Sequence, residues 1–215
     1  GLGVLFFVEF WERFSYYGMR AMLIFYMYFA IQDHGLGIDK TTAMSIMSVY
    51  GALIYMSSIP GGWIADRITG TRGATLIGGV LIIIGHICLS LPFAMFGLFT
   101  SMFFIIIGSG LMKPNISNIV GRLYPQNDVR MDAGFVIFYM SVNFGALVSP
   151  IILQHFINVK NFHGGFLIAA IGMALGLIWY ILFNRKNLGS VGMKPTNPLS
   201  PTEKKKYSII IAAII

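Results

Sequence analysis

Charge is scarce in this chain: 11% of its 215 residues are charged, 15 basic and 8 acidic, where a soluble domain carries about a quarter. That shortage excludes an ordinary water-soluble domain, and a mean hydropathy of +0.76 points the same way. Cysteine is nearly missing. Cys88 stands alone, so no disulfide can close within the chain and there is no C-x-x-C metal or redox motif. An initial methionine is also lacking: the chain begins at Gly1 inside an apolar stretch and ends inside another, Tyr207 to Ile215, which predicts a piece of a longer, transporter-sized protein. What is plentiful fits lipid. Apolar residues make up 56%, with 25 glycines, 18 phenylalanines and 10 tyrosines, a composition for helices that pack closely in a bilayer and set aromatic rings at its interfaces. The expected class is an all-α polytopic membrane protein.

A bilayer core of about 30 Å needs roughly 20 apolar residues per helix. Six such runs are read, at about residues 1–31, 43–65, 74–93, 97–121, 135–157 and 163–184, and 207–215 begins another. The first is too long for the apolar part of a signal peptide, and no small-residue cleavage pattern follows it. Lys and Arg are unevenly spread: Arg67, Arg72, Arg122, Arg130, Arg185, Lys186, Lys194 and Lys204 to Lys206 fall in loops 66–73, 121–132 and 185–206, against only Lys40 and Lys160 in the alternate loops. By the positive-inside bias, those three loops and the N-terminus are expected in the cytoplasm of a multi-pass plasma-membrane protein. The net charge of +7 then reports orientation and not a nucleic-acid partner. Gly189, Gly192, Pro195, Pro198 and Pro201 mark 185–206 as a polar, non-helical linker. The expected layout is a six-helix N-terminal bundle over 1–184, the linker, and the first helix of a missing second six-helix bundle, as in a two-bundle carrier.

Five charges remain inside apolar runs: Glu9, Glu12, Arg13, Arg20 and Lys113. Each costs about 2.5–3.5 kcal/mol in hydrocarbon on the mildest scale, so they predict partners and a polar cavity. Glu9, Glu12, Arg13, Tyr16, Tyr17 and Arg20 recur at helical spacing along one face, opposite apolar Phe7, Trp11, Met22 and Phe25. Glu9 and Arg13 are four apart in the favourable acid-first order, and one guanidinium has donors enough for both carboxylates. Lys113 precedes Pro114, which frees carbonyls a turn earlier and makes the helix bendable; the alternative is a snorkelling lysine. Tyr55 and Asn143 also lie well inside their segments, as ligand contacts or as interhelical hydrogen bonds. One positive charge in excess would welcome an anionic group such as a carboxylate. Neutralising one Glu by a proton would weaken its hold on Arg13, as coupling to a proton gradient requires. His86, alone in an apolar run, reads as a neutral packed residue.

The stretch Glu9-Phe-Trp-Glu12-Arg13-Phe-Ser-Tyr16-Tyr17-Gly18 resembles the E-x-x-E-R-F-x-Y-Y-G motif of the proton-dependent oligopeptide transporter family, a branch of the major facilitator superfamily. Three further matches follow in order. They are Gly61-Gly62-Trp-Ile-Ala-Asp66-Arg67-Ile-Thr-Gly70-Thr-Arg72, Gly110-Leu-Met-Lys113-Pro114-Asn115, and Phe138-Tyr139-Met-Ser-Val-Asn143-Phe-Gly145-Ala-Leu147. The resemblance implies symport of di- and tripeptides with protons by alternating access, with no cofactor and no metal beyond the coupling proton. It further implies a basic pocket for the peptide carboxylate at Arg13, Arg20 and Lys113, proton coupling through Glu9, Glu12 and Arg13, a peptide site lined by Tyr16, Tyr17, Tyr55 and Asn143, and a gating loop with Gly62, Asp66, Arg67 and Arg72. From the residues alone, Asp66 and its glycines would be a solvated turn. Val142 and Ala146 replace the family's Ile and Ser. Segment 43–65 holds no histidine, although animal members use one there, so the resemblance is to a bacterial-type member whose carboxylates carry the proton. A relative carrying nitrate or another anion could use the same three cations, and is the nearest rival. A non-transporting scaffold would leave five costly charges without a purpose. An enzyme is not expected, since no nucleophile stands with a base or metal cluster.

Overall fold

The computed structural model describes residues 1–125, 127–200 and 202–203, so Lys204–Lys206 and the run 207–215 lie outside the described residues. Its helices are α1 (Leu2–Tyr28), α2 (Lys40–Met56), α3 (Ser58–Ile64), α4 (Gly70–Ser90), α5 (Ala94–Arg122), α6 (Arg130–Asn158) and α7 (Phe162–Leu188), with a π-helical turn at Ala65–Thr69. No strand forms among the described residues. Among the described residues, four stretches are long and apolar enough to cross a membrane: Lys40–Ser90, Ala94–Arg122, Arg130–Asn158 and Phe162–Leu188. At 27 residues α1 matches α7 in length, but its buried charges set it apart.

The helices run past the apolar runs at several ends. Asp39 starts α2 early, because its carboxylate accepts hydrogen bonds from Thr41 N (3.0 Å) and Thr42 N (3.2 Å) and so satisfies two orphan donors of the first turn. The run expected over 43–65 is interrupted at Ser57, since Pro60 has no N–H for the carbonyl of Met56, a turn earlier. The expected linker is shortened at both ends. Helix α7 continues to Leu188, and residues 202–203 are again helical. There Glu203 N donates to Ser200 Oγ (3.3 Å) while Ser200 N donates to Glu203 Oε2 (2.9 Å), a reciprocal capping box.

Close backbone approaches at glycine fix the packing. A Cβ on Gly61 would lie 2.0 Å from Gly110 O, and one on Gly110 would lie 2.4 Å from Ser57 O, so α3 touches α5 backbone to backbone. Gly78 and Gly108 meet in the same reciprocal way between α4 and α5. Gly61 and Gly78 therefore reach the same level of α5, which requires the chain to double back at Gly70, where φ is +75°. Helix α1 lies between α6 and α7, and α4 joins α7 to the α2–α5 group. The opposite end of the molecule carries an ion pair between Lys160 and Asp33.

Candidate functional site

Helix α1 brings the predicted charges together because its i, i+3, i+4 spacing stacks them on one face. Glu9 and Glu12 are 2% and 1% exposed. Arg13 Nε donates to Glu9 Oε1 at 2.6 Å and stands 2.8 Å from Glu12 Oε2. The second contact is an ion pair without hydrogen-bond alignment, and Glu9 Oε2 with both Glu12 oxygens have no hydrogen-bond partner among the described residues. One nitrogen thus faces two carboxylates, a narrower arrangement than a guanidinium shared through several donors. Gly145 makes room for it: a Cβ there would lie 2.7 Å from Arg13 Cβ and 2.6 Å from Phe10 O.

One turn further along, Tyr16 joins two more cations. Arg20 Nη1 donates to Tyr16 Oη at 3.2 Å, and Lys113 Nζ sits 4.0 Å from the centre of the Tyr16 ring and 6.0 Å from that of Tyr55. A cation over a tyrosine face is worth about 0.5–2 kcal/mol, more as water is excluded. Lys113 thus turns inward toward α1 and α2. Tyr17 meets the Tyr16 ring edge-on at 5.2 Å. Arg20 lies against α2, 3.7 Å from where a Cβ on Gly51 would stand. Tyr55 is 72% exposed. Asn143 is exposed on α6, lines a small apolar hollow of about 180 Å³ with Met140, Phe144 and Leu147, and is not brought into contact with the charged cluster. Gly62 has open space beside it.

Asp66, Arg67 and Arg72 are engaged by the chain that follows α7. Arg72 N donates to Gly192 O (3.0 Å), and Arg72 Nη2 donates to Gly189 O (2.8 Å). Asp66 O accepts from Asn197 N (2.9 Å), Arg67 O accepts from Leu199 N (3.2 Å), and Arg67 pairs with Glu203. An apolar groove of about 450 Å³ lies between α2 and α5, lined by Tyr50, Leu53 and Phe99 among others. No group of three or more His, Cys, Asp or Glu is placed to hold a metal among the described residues.

The POT family model matches residues 73–207. The chain belongs to the POT family. It is 52% identical to an uncharacterized transporter of Bacillus subtilis, YclF, over 93% of this chain and 41% of that protein. It is 45% identical to a di-/tripeptide transporter of Lactococcus lactis subsp. cremoris over 100% of this chain and 44% of that protein. Among solved structures, a POT family transporter in complex with 5-aminolevulinic acid is 87% identical, with a TM-score of 0.98 over 100% of this chain and 44% of that one. A peptide transporter POT in complex with sulfate is 53% identical, with a TM-score of 0.97 over 99% of this chain and 43% of that one. The chain thus spans less than half the length of these relatives.

Within this POT-family chain, several motif residues serve packing. Gly61, Gly110 and Gly145 allow helix contact, and Asn115 Nδ2 donates to Leu111 O (2.7 Å) and Gly61 O (3.3 Å), tying α5 to α3 beside Pro114. Thr196 and Glu203, absent from the expected site, contact the 66–72 turn. The S-x-x-E spacing of Ser200 and Glu203 was the available signal for the second of them.

Proposed function

We propose that the whole protein is a proton-coupled symporter of di- and tripeptides and that these residues form one half of it. In this reading α1, α2–α3, α4, α5, α6 and α7 are the six membrane-crossing segments of a major facilitator N-terminal bundle, with loops 66–73, 121–132 and 185–206 and the N-terminus in the cytoplasm of a plasma-membrane protein. The missing second bundle completes the path, and the proton is the only coupling agent.

The observation that carries the reading is Arg13 held by two buried carboxylates beside two cations that have no acidic partner in contact among the described residues. Arg20 is bonded to a phenol and Lys113 lies on two rings, so both can receive a peptide's carboxylate. A proton on Glu9 or Glu12 removes one of the two charges holding Arg13, which frees the guanidinium or loosens α1 against its neighbours. Tyr16 links the two events, because Arg20 and Lys113 both rest on it. Tyr17, Tyr55 and Asn143 line the open side of the same bundle, where a peptide would be enclosed against the second half, and Asp66, Arg67 and Arg72 belong to the gating turn. The 5-aminolevulinic acid bound by an 87% identical relative is a carboxylate and an amine on one short chain, the same pairing a peptide presents at its two ends.

A second reading, carriage of nitrate or another small anion, is favoured by the same two cations. One assay separates the two. Full-length protein in proteoliposomes should accumulate labelled dialanine when the lumen is alkaline, and unlabelled nitrate should not compete. No gradient-stimulated dialanine uptake would refute the peptide reading, and gradient-driven nitrate uptake in its place would establish the rival.

A further inference from the structure

The chain leaving α7 turns back at Gly189 (φ +53°) and Gly192 (φ +73°) and lies along the 66–72 turn as a strap. Its near half is locked. Arg72, 7% exposed, holds Gly189 O and Gly192 O by its side chain and its amide. A Cβ on Gly70 would lie 2.8 Å from Gly192 O, and one on Gly192 would lie 2.3 Å from Thr71 Oγ1, so the two strands of backbone meet where neither tolerates a side chain.

The far half is held differently. Asn197 N and Leu199 N donate to the carbonyls of Asp66 and Arg67, and Arg67 Nη1 donates back to Asn197 O (3.1 Å). Thr196 Oγ1 accepts from Arg122 Nη2 (2.8 Å) and donates to Asp66 Oδ1 (3.3 Å), joining α5 to the turn through one hydroxyl. The carboxylate of Glu203 both pairs with Arg67 and accepts from Ser200 N, so Ser200 and Glu203 are fastened to the turn together. The bonds of Thr196 and that of Arg67 to Asn197 O are exposed, where water competes for each, whereas the Arg67–Glu203 pair is partly buried. The strap borders a cavity of about 680 Å³ lined by Arg122 and residues 190–196. It grips a π-helical turn, a geometry that recurs where helices must adjust.

We propose that the strap is a two-part latch: Thr196, Asn197, Leu199 and Glu203 release Asp66 and Arg67 while Gly189 and Gly192 stay docked on Arg72, so that the gating turn can move without undocking the root of the strap. The coupling to transport rests on the symporter reading, whereas the two-part opening does not. Thr196 is a positioning residue acting through Asp66.

Hydrogen exchange on the full-length protein tests the opening directly. The Arg72 amide should exchange at least about tenfold more slowly than those of Asn197 and Leu199; equal protection would mean that the strap opens as one piece and would overturn the proposal. Thr196→Val, which keeps the shape and removes the hydroxyl, should speed exchange at Asn197 and Leu199 several-fold and leave Arg72 unchanged. It should also change the maximal rate of dialanine uptake at unaltered KM, and Thr196→Ser should restore both. Exchange and uptake like those of the parent protein in Thr196→Val would overturn the latch. A parent protein that takes up no peptide would remove the symporter reading alone, because the exchange pattern is read without transport.

Discussion

Arg13 and Arg72 are both largely buried arginines, and they are satisfied in opposite ways. Arg13 is held by carboxylates, Glu9 and Glu12, whose charge a proton can remove. Arg72 is held by the carbonyl of Gly189, and its own amide holds that of Gly192; no proton at physiological pH alters a carbonyl. The first arrangement can change state and the second can only persist or part. Under the symporter proposal, the α1 cluster senses the proton, and the 66–72 turn with its strap carries the mechanical consequence.

The largest effect is expected from removing the cation between the two glutamates and the tyrosines. Lys113→Ala should abolish gradient-driven dialanine uptake by the full-length protein in proteoliposomes, and normal uptake would mean that the lysine has no part in binding. Arg13→Met should come next. It strands two carboxylates in the interior at a cost of about 3–5 kcal/mol, read as a lower midpoint of thermal unfolding, and adding Glu9→Gln with Glu12→Gln should recover much of the loss. Arg72→Met should cost less, about 1–3 kcal/mol, because it strands a neutral carbonyl, and the same glutamate changes should recover nothing. If the two arginine variants behaved alike in that rescue, the distinction between them would fail.

The smallest effect is expected at the start of α6. Arg130 donates to Asp128 through Nε, Nη2 and its own amide, which holds the carboxyl at about 2, below its ordinary value of 3.8. A lowered value means stabilisation that is complete above 3.8 and is lost as pH falls through about 2. Asp128→Asn should therefore change the unfolding midpoint slightly and by the same amount at pH 5 and pH 8. A pH-dependent difference across that range would show that another group, not this aspartate, titrates at the turn.

Much of the α1 site was legible in the sequence because an isolated helix face is a purely local pattern: Glu9, Arg13, Tyr16 and Arg20 lie one or two turns apart, and their costly placement in an apolar run marks them. The inward turn of Lys113 was open between two readings, since whether a long stem reaches a tyrosine or the interface depends on which helix packs beside it. Contacts between distant segments left weaker traces. Nothing in Thr196 or Gly192 announces the turn more than a hundred residues earlier, and Gly189 and Gly192 read as part of a polar, non-helical linker although they shape a docked one. Pro60 was a legible break at Ser57 that a hydropathy reading passes over. The motif glycines illustrate the same limit: Gly61, Gly110 and Gly145 look alike in sequence, but only the packed helices reveal which neighbour each admits.

Protons acting through Glu9 and Glu12 are the core of the proposed mechanism, and transport by a variant that lacks both charges tests it most directly. Full-length protein carrying Glu9→Gln and Glu12→Gln together should exchange labelled for unlabelled dialanine across proteoliposomes without a gradient, yet fail to accumulate it when the lumen is made alkaline. Accumulation in this double variant equal to that of the parent protein would contradict the mechanism.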